Sequence, residues 1–144
     1  VYKKVVYKMS DEKRFKVKVL CPGKFSAPAL VTRERVSLLG NCDAKKGLFI
    51  DPKSELNGAS FSGKALIFTS GKGSTLWSFF LSSTRRFGTH PAAIINQEVD
   101  SLVVWACVLN DIPMFQVKDD NIFSVTKNGN QVTFDPEKEE IIVA

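Results

Sequence analysis

At 144 residues and 44% apolar composition, the chain has the material for one ordinary hydrophobic core, and a single domain over 1–144 is the default. Twenty Lys and Arg against fifteen Asp and Glu leave a formal charge of +5, which fits an anionic small molecule or an acidic partner as readily as simple solubility. The richest apolar stretch, Ala92 to Val117, is broken by Asn96, Gln97, Glu98, Asp100, Asn110 and Asp111, so no membrane-spanning run is expected.

In chain order, Val1 to Met9 alternates charged and β-branched residues and lacks the apolar core of a signal peptide, so a cytoplasmic location is expected. Lys3, Lys4, Lys8, Lys13, Arg14, Lys16 and Lys18 follow a strand-like pattern without interleaved aromatic platforms, which argues against nucleic acid as a partner. Phe15 to Leu20 alternates apolar residues with lysine, Pro22 and Gly23 end it, and Ala27 to Val31 reads as the next strand. Gly40 to Asp43 and Asp51 to Ser54 read as turns around Gly47 to Ile50. Lys64 to Thr69 is an apolar run of buried-strand type, followed by the loop Ser70 to Gly73. The spacing of Leu76, Phe79, Phe80, Ser83 and Phe87 predicts a helix closed by Gly88. After the turn at His90 and Pro91, Ala92 to Asn96 is a second buried strand. Asp100 or Ser101 caps a helix through Leu109, and Met114 to Val117 is a third strand. This β-α-β-α-β series predicts parallel pairing, packed beside a barrel-like or sandwich-like first half. The tail, Ile122 to Val143, reads as a hairpin turned at Lys127 to Asn130.

Chemistry concentrates in Phe68 to Trp77, FTSGKGSTLW, where a glycine-rich loop joins a buried strand to a helix start. Gly71 and Gly73 permit positive φ and close backbone approach, while the first N–H groups of the helix carry about half a positive charge. Lys72 adds a full one, and such a loop suits a carboxylate, a phosphate or an oxyanion formed on the protein. GKGST is not a Walker A loop, because Leu66 stands where the first glycine is needed and Gly73 follows Lys72. Ser74 reads equally as an N-cap, Lys72 as a solvated side chain and Thr75 as a first-turn residue. Asn96 and Glu98 follow a strand whose carboxyl end faces the same crevice, where they either orient a ligand or serve the turn. Cys21, Cys42 and Cys107 are odd in number and lack any C-x-x-C spacing, so no metal is expected within this chain. His90, the single histidine, has no G-x-S-x-G elbow to serve and reads as a turn residue.

Five segments in fixed order, CPGKFSAPAL, SLLGNCD, NGASFSGKALIFTSGKGST, PAAIINQE and NDIPMF, resemble the small subunit of the aconitase X family, whose best-defined members are archaeal phosphomevalonate dehydratases. The likeness runs from about Cys21 to Phe115 and implies an α/β fold of the swivelling β/β/α type found in aconitase. It also implies a large catalytic partner subunit whose cysteines hold an iron-sulfur cluster, and a proton-accepting role for Ser74. The implied reaction is dehydration of (R)-5-phosphomevalonate to trans-anhydromevalonate 5-phosphate. A related dehydratase acting on cis-3-hydroxy-L-proline, or a noncatalytic phosphate-binding swivel module, is the alternative. Departures from the family pattern stand at Asn41, at Ser54 and Glu55, and at Trp77, where relatives tend to carry glycine, His-Pro and a small residue. In such a reaction an iron site takes the hydroxyl as a Lewis acid, and the base works from the other side. Serine is a poor base unless positive potential favours its oxyanion. The helix end contributes about 0.3 to 2 kcal/mol of that, so cations from the large subunit are expected to add the rest.

Overall fold

The computed structural model describes residues 12–37 and 41–144. The alternation over Val1 to Met9, with Lys3, Lys4 and Lys8, lies outside the described residues, as does Gly40 at the start of the first predicted turn.

Seven strands close into a barrel. They are β1 (Lys13–Cys21), β2 (Ser26–Val31), β6 (Ala65–Phe68), β8 (Ala93–Asn96), β9 (Met114–Val117), β10 (Gln131–Asp135) and β11 (Glu140–Val143). Their order around the barrel is β1-β11-β10-β2-β6-β8-β9, and β1 completes the ring by pairing with β11 through its first half and β9 through its second. A register shift between Val19 and Cys21 lets that long strand bend from one neighbour to the other. Short pairs sit outside the ring: β3 (Arg35–Val36) runs parallel to β7 (Ser70–Gly71), and β4 (Cys42–Asp43) antiparallel to β5 (Leu48–Phe49). Closure leaves the seven strands no free edge.

The predicted β-α-β-α-β series forms as expected, with β6, β8 and β9 parallel and adjacent. Strand β2 extends this parallel group on the other side of β6, an addition that nothing in its local pattern announced. Every residue of β6 and β8 is buried because both faces are covered. Ala65, Ile67, Ala93 and Ile95 point into the barrel with Phe15, Phe115, Val132 and Ile141. Four interior alanines, Ala27, Ala29, Ala65 and Ala93, make room for the two phenylalanine rings. On the outer face, Leu66 and Ile94 meet helices α1 (Leu76–Phe87) and α2 (Ser101–Leu109) through Trp77, Leu81, Val103, Ala106 and Cys107. Gly88 closes α1 with φ 72°, and Asp100 caps α2 by accepting the Leu102 N–H at 2.8 Å. Among the described residues, no helix is long and apolar enough to cross a membrane.

Three expectations require correction. The first predicted turn, through Asp43, is displaced: Cys42 and Asp43 form a strand, and the chain reverses over 44–47, where Gly47 takes φ 71°. The tail is not one hairpin turned at Lys127 to Asn130. Asn121–Val125 is a short helix, α3, whose Ile122 and Phe123 join the barrel interior, and the hairpin is β10–β11, reversed over 136–139. A five-residue helix is too short for periodicity to separate from a strand. Ser70 and Gly71 are not free loop, because they pair with Arg35 and Val36.

His90 lies before β8, at the amino ends of the parallel strands, whereas the glycine loop leaves their carboxyl ends. Its Nε2 sits 3.2 Å from Arg85 Nη1, and its buried Nδ1 has no partner among the described residues. Burial first, and then the Arg85 charge, push the imidazole below its usual value near 6.5. The unfolded chain therefore takes up this proton first as pH falls, so stability present above pH 6.5 is lost as pH drops through the lower folded value. The imidazole resonances of this one histidine should titrate with a midpoint below 6.5, and a midpoint above it would contradict the burial. Enlarging the barrel interior by Ala93→Val should cost about 1 to 3 kcal/mol in urea unfolding.

Candidate functional site

Strand β6 is buried on both sides and stops at Phe68, and the following residues are led across the top of the barrel by three backbone attachments. Ser70 and Gly71 pair with Arg35 and Val36, and the Lys72 N–H donates to the Val36 carbonyl at 2.9 Å. Thr69 supplies the third, since its carbonyl accepts from the N–H groups of Gln97 (3.1 Å) and Glu98 (2.8 Å) beyond β8. The glycine loop is thus fixed at the carboxyl ends of parallel strands, where open α/β sheets bind ligands.

Neither Gly71 nor Gly73 has positive φ, contrary to expectation. Both are glycine for lack of room. A Cβ at 71 would fall 2.6 Å from Val103 Cγ2 and 2.9 Å from the Trp77 ring, so the loop can lie against α2 only without a side chain. A Cβ at 73 would fall 2.5 Å from Asp100 Oδ2, so Gly73 makes way for the carboxylate that caps α2. Close backbone approach, the other half of the expectation, holds at both positions.

Trp77 is the chief support of the loop. Its ring is buried and stacks on Phe68 at 6.2 Å and 10°, and its Nε1–H donates to the Lys72 carbonyl at 2.9 Å. Both backbone polar groups of Lys72 are thereby used, and its side chain projects outward, exposed. Trp77 therefore clamps the loop. A large apolar residue with a polar tip near a glycine loop was the available signal, since a buried indole N–H needs an acceptor.

Ser74 is half-buried, and its Oγ accepts the Leu76 N–H at 3.1 Å, while its carbonyl accepts the Trp77 N–H at 3.2 Å. Ser74 therefore caps α1 in practice, since Thr75 already has helical angles (φ −63°, ψ −15°) and makes no side-chain cap bond. The cap geometry thus aims a helix-end N–H, which has no acceptor within the helix, at the Ser74 hydroxyl oxygen. Thr75 is exposed and touches the loop only through the chain. Asn96 is fully buried at the end of β8 and donates from Nδ2 to the Phe68 carbonyl at 3.2 Å, which ties the strand ends together beneath the loop. Its Oδ1 has no partner among the described residues. Glu98 is exposed, and its backbone rather than its carboxylate holds Thr69. The structure thus gathers Gly71, Lys72, Gly73, Ser74 and Thr75 into one loop, with Asn96 below it.

The thiols do not assemble. Cys21 and Cys107 neighbour each other in the core, with Cys21 Sγ 3.9 Å from the Cys107 carbonyl, while Cys42 lies on the separate β4–β5 hairpin. Burial, assisted by Cys21, pushes the Cys107 thiol up to about 12, and burial with the Asp51 carboxylate pushes Cys42 up to about 12. Cys21 is raised as well, by burial and then Asp111. Thiols held protonated are poor metal ligands. Among the described residues, no group of three or more His, Cys, Asp or Glu could hold a metal ion, so the residues described do not fit an iron-sulfur cluster.

A model of the aconitase X swivel domain matches residues 14–143. The phosphomevalonate dehydratase small subunit of Methanothrix thermoacetophila is 40% identical over 121 residues, 84% of this chain and 88% of that one. The corresponding subunit of Archaeoglobus fulgidus is 34% identical over 119 residues, 83% of this chain and 89% of its own length. The crystal structure of Thermococcus kodakaraensis aconitase X in its holo-form superposes with a TM-score of 0.82 at 32% identity, covering 92% of this chain and 98% of that one. A loop fixed over the ends of parallel barrel strands, and a match running nearly from end to end, agree: the chain belongs to the aconitase X swivel-domain family.

Proposed function

We propose that the chain is the small subunit of a phosphomevalonate dehydratase, a single swivelling domain over 1–144 that works in the cytoplasm against a large subunit carrying the iron-sulfur cluster. The substrate is (R)-5-phosphomevalonate and the product trans-anhydromevalonate 5-phosphate. The name shared by the archaeal relatives supports the reaction, and the observation that carries this chain's part in it is the Ser74 Oγ accepting a helix-end N–H.

Ser74 takes the proton beside the substrate carboxylate. A hydroxyl ionises far above neutral pH, and at about 1.4 kcal/mol for each pH unit of that gap its oxyanion is strongly disfavoured. The Leu76 N–H, as a hydrogen bond to a charged group, supplies about 1.5 to 3 kcal/mol, and the helix end about 0.3 to 2. Those contributions fall well short of the requirement. The remainder comes from Lys72 and from cations of the large subunit, which favour release of the Ser74 proton to solvent; the resulting oxyanion then takes the substrate proton as the hydroxyl leaves. Gly71, Gly73 and Thr75 shape the loop, and Asn96 holds the strand ends beneath it. Glu98 contributes through its main chain.

Ser74→Ala in the reconstituted two-subunit complex should lower turnover of 5-phosphomevalonate by about 10²-fold or more, with copurification and the cluster's absorption spectrum unchanged. Near-normal turnover would refute the assignment. Trp77→Phe keeps the stack on Phe68 and deletes only the indole donor. It should cost about 0.5 to 1.5 kcal/mol of stability and quicken amide exchange over 72–74, whereas unchanged exchange there would remove Trp77 from its role as the loop's clamp.

A further inference from the structure

Beside the glycine loop lies an open cleft of about 380 Å³ lined by Glu34, Arg35, Asp51, Lys53, Ser54 and Lys72. Its charges are unequally committed. Glu34 accepts the Ser54 hydroxyl on Oε1 and the Glu55 N–H on Oε2 at 3.2 Å, and Asp51 Oδ1 accepts the Lys53 N–H at 3.0 Å. Both carboxylates are therefore occupied in holding the 51–55 turn. The three cations are not so occupied. Arg35 uses only Nε, which donates to Ser70 Oγ at 3.0 Å. Among the described residues its two terminal nitrogens, Lys53 Nζ and Lys72 Nζ have no hydrogen-bond or ion-pair partner.

Arg35 is also placed with unusual care for an exposed side chain. The β3–β7 ladder sets it opposite Ser70, and the Nε bond to Ser70 orients the guanidinium plane, which leaves its outer edge for a second ligand. A guanidinium edge offers parallel donors that match the oxygens of a phosphate, and two ammonium groups on the same cleft add charge without demanding geometry. Lys72 belongs to both the cleft and the loop that carries Ser74.

We infer that the cleft between β3, the 51–55 turn and the glycine loop binds the terminal phosphate of a phosphorylated hydroxy acid, through Arg35, Lys53 and Lys72. The inference rests on the proposed function for the identity of the rest of the substrate, and it adds Arg35 and Lys53 as residues that select for the phosphate. An unphosphorylated acid would lose that anchor.

The test uses the reconstituted complex with Arg35→Gln, which retains a donor for Ser70, with Lys53→Met, and with the two combined. The double variant should raise KM for 5-phosphomevalonate by about a hundredfold while kcat changes little, each lost charged contact being worth about tenfold. Binding of inorganic phosphate, followed by calorimetry at low ionic strength, should weaken in parallel. Lys53→Met alone removes no hydrogen bond made among the described residues, so a KM rise in that variant does not reflect a damaged loop. An unchanged KM together with unchanged phosphate binding in the double variant overturns the cleft and leaves Ser74→Ala to be judged separately. A wild-type complex that fails to turn over 5-phosphomevalonate, yet binds inorganic phosphate through Arg35 and Lys53, overturns the reaction and upholds the cleft.

Discussion

Everything at the candidate site depends on where the chain goes after Phe68. A strand buried on both faces ends there, and its successor residues would splay into solvent were they not caught by β3 on one side and by the Trp77 indole on the other. These two restraints act on adjacent backbone groups of Lys72: its N–H reaches Val36 and its carbonyl reaches Trp77. Because Trp77 itself lies in the first turn of α1, the bond that fixes the loop also fixes the helix start relative to it. The direction of the Leu76 N–H toward Ser74 follows from that coupling. A cap on a frayed helix end would offer a wandering donor, and a wandering donor does little to stabilise charge.

The same crowding explains a feature that works against the chemistry. Gly73 is empty of side chain so that the Asp100 carboxylate can sit over the loop while capping α2. A carboxylate there raises the cost of any negative charge developing on Ser74. The fold accepts it because α2 is nine residues long and almost entirely apolar, and loss of an N-cap costs about 1 kcal/mol. Positive potential at the loop must then come from other groups, such as Lys72 within it.

The elements legible in the sequence were those whose signal is local. The 65–68 and 93–96 strands announced themselves by unbroken apolar runs, and Gly88 and Asp100 marked helix ends by residue type alone. The loop at Gly71 to Ser74 was legible as a strand-to-helix junction for the same reason. What stayed hidden was set by distant partners. Glycine at 71 reads as conformational freedom until Val103 is seen to occupy the space, and Arg35 reads as an ordinary surface cation until the β3–β7 ladder places it beside Ser70. Ile122 and Phe123 continue a strand-like composition, yet the barrel needs a plug at that end, and packing overrides the pattern. Trp77 could be noticed as a departure from relatives, but its acceptor, the Lys72 carbonyl, is a tertiary fact.

One property of the site can be judged only by what surrounds it. Ser74 is half-buried, and the helix that begins beside it turns Leu76 and Phe79 toward solvent, 40% and 74% exposed. In water, a single N–H and a helix end are screened to a small fraction of what they deliver in a dry crevice. A domain evolved to use Ser74 alone would have sunk it in a cavity of its own. Leaving the hydroxyl at an open surface with apolar side chains next to it makes physical sense if another protein surface closes over it, expelling water from the loop and strengthening every dipole already aimed there. The small domain would then contribute orientation, and a surface closing over it the low-dielectric enclosure in which that orientation becomes effective.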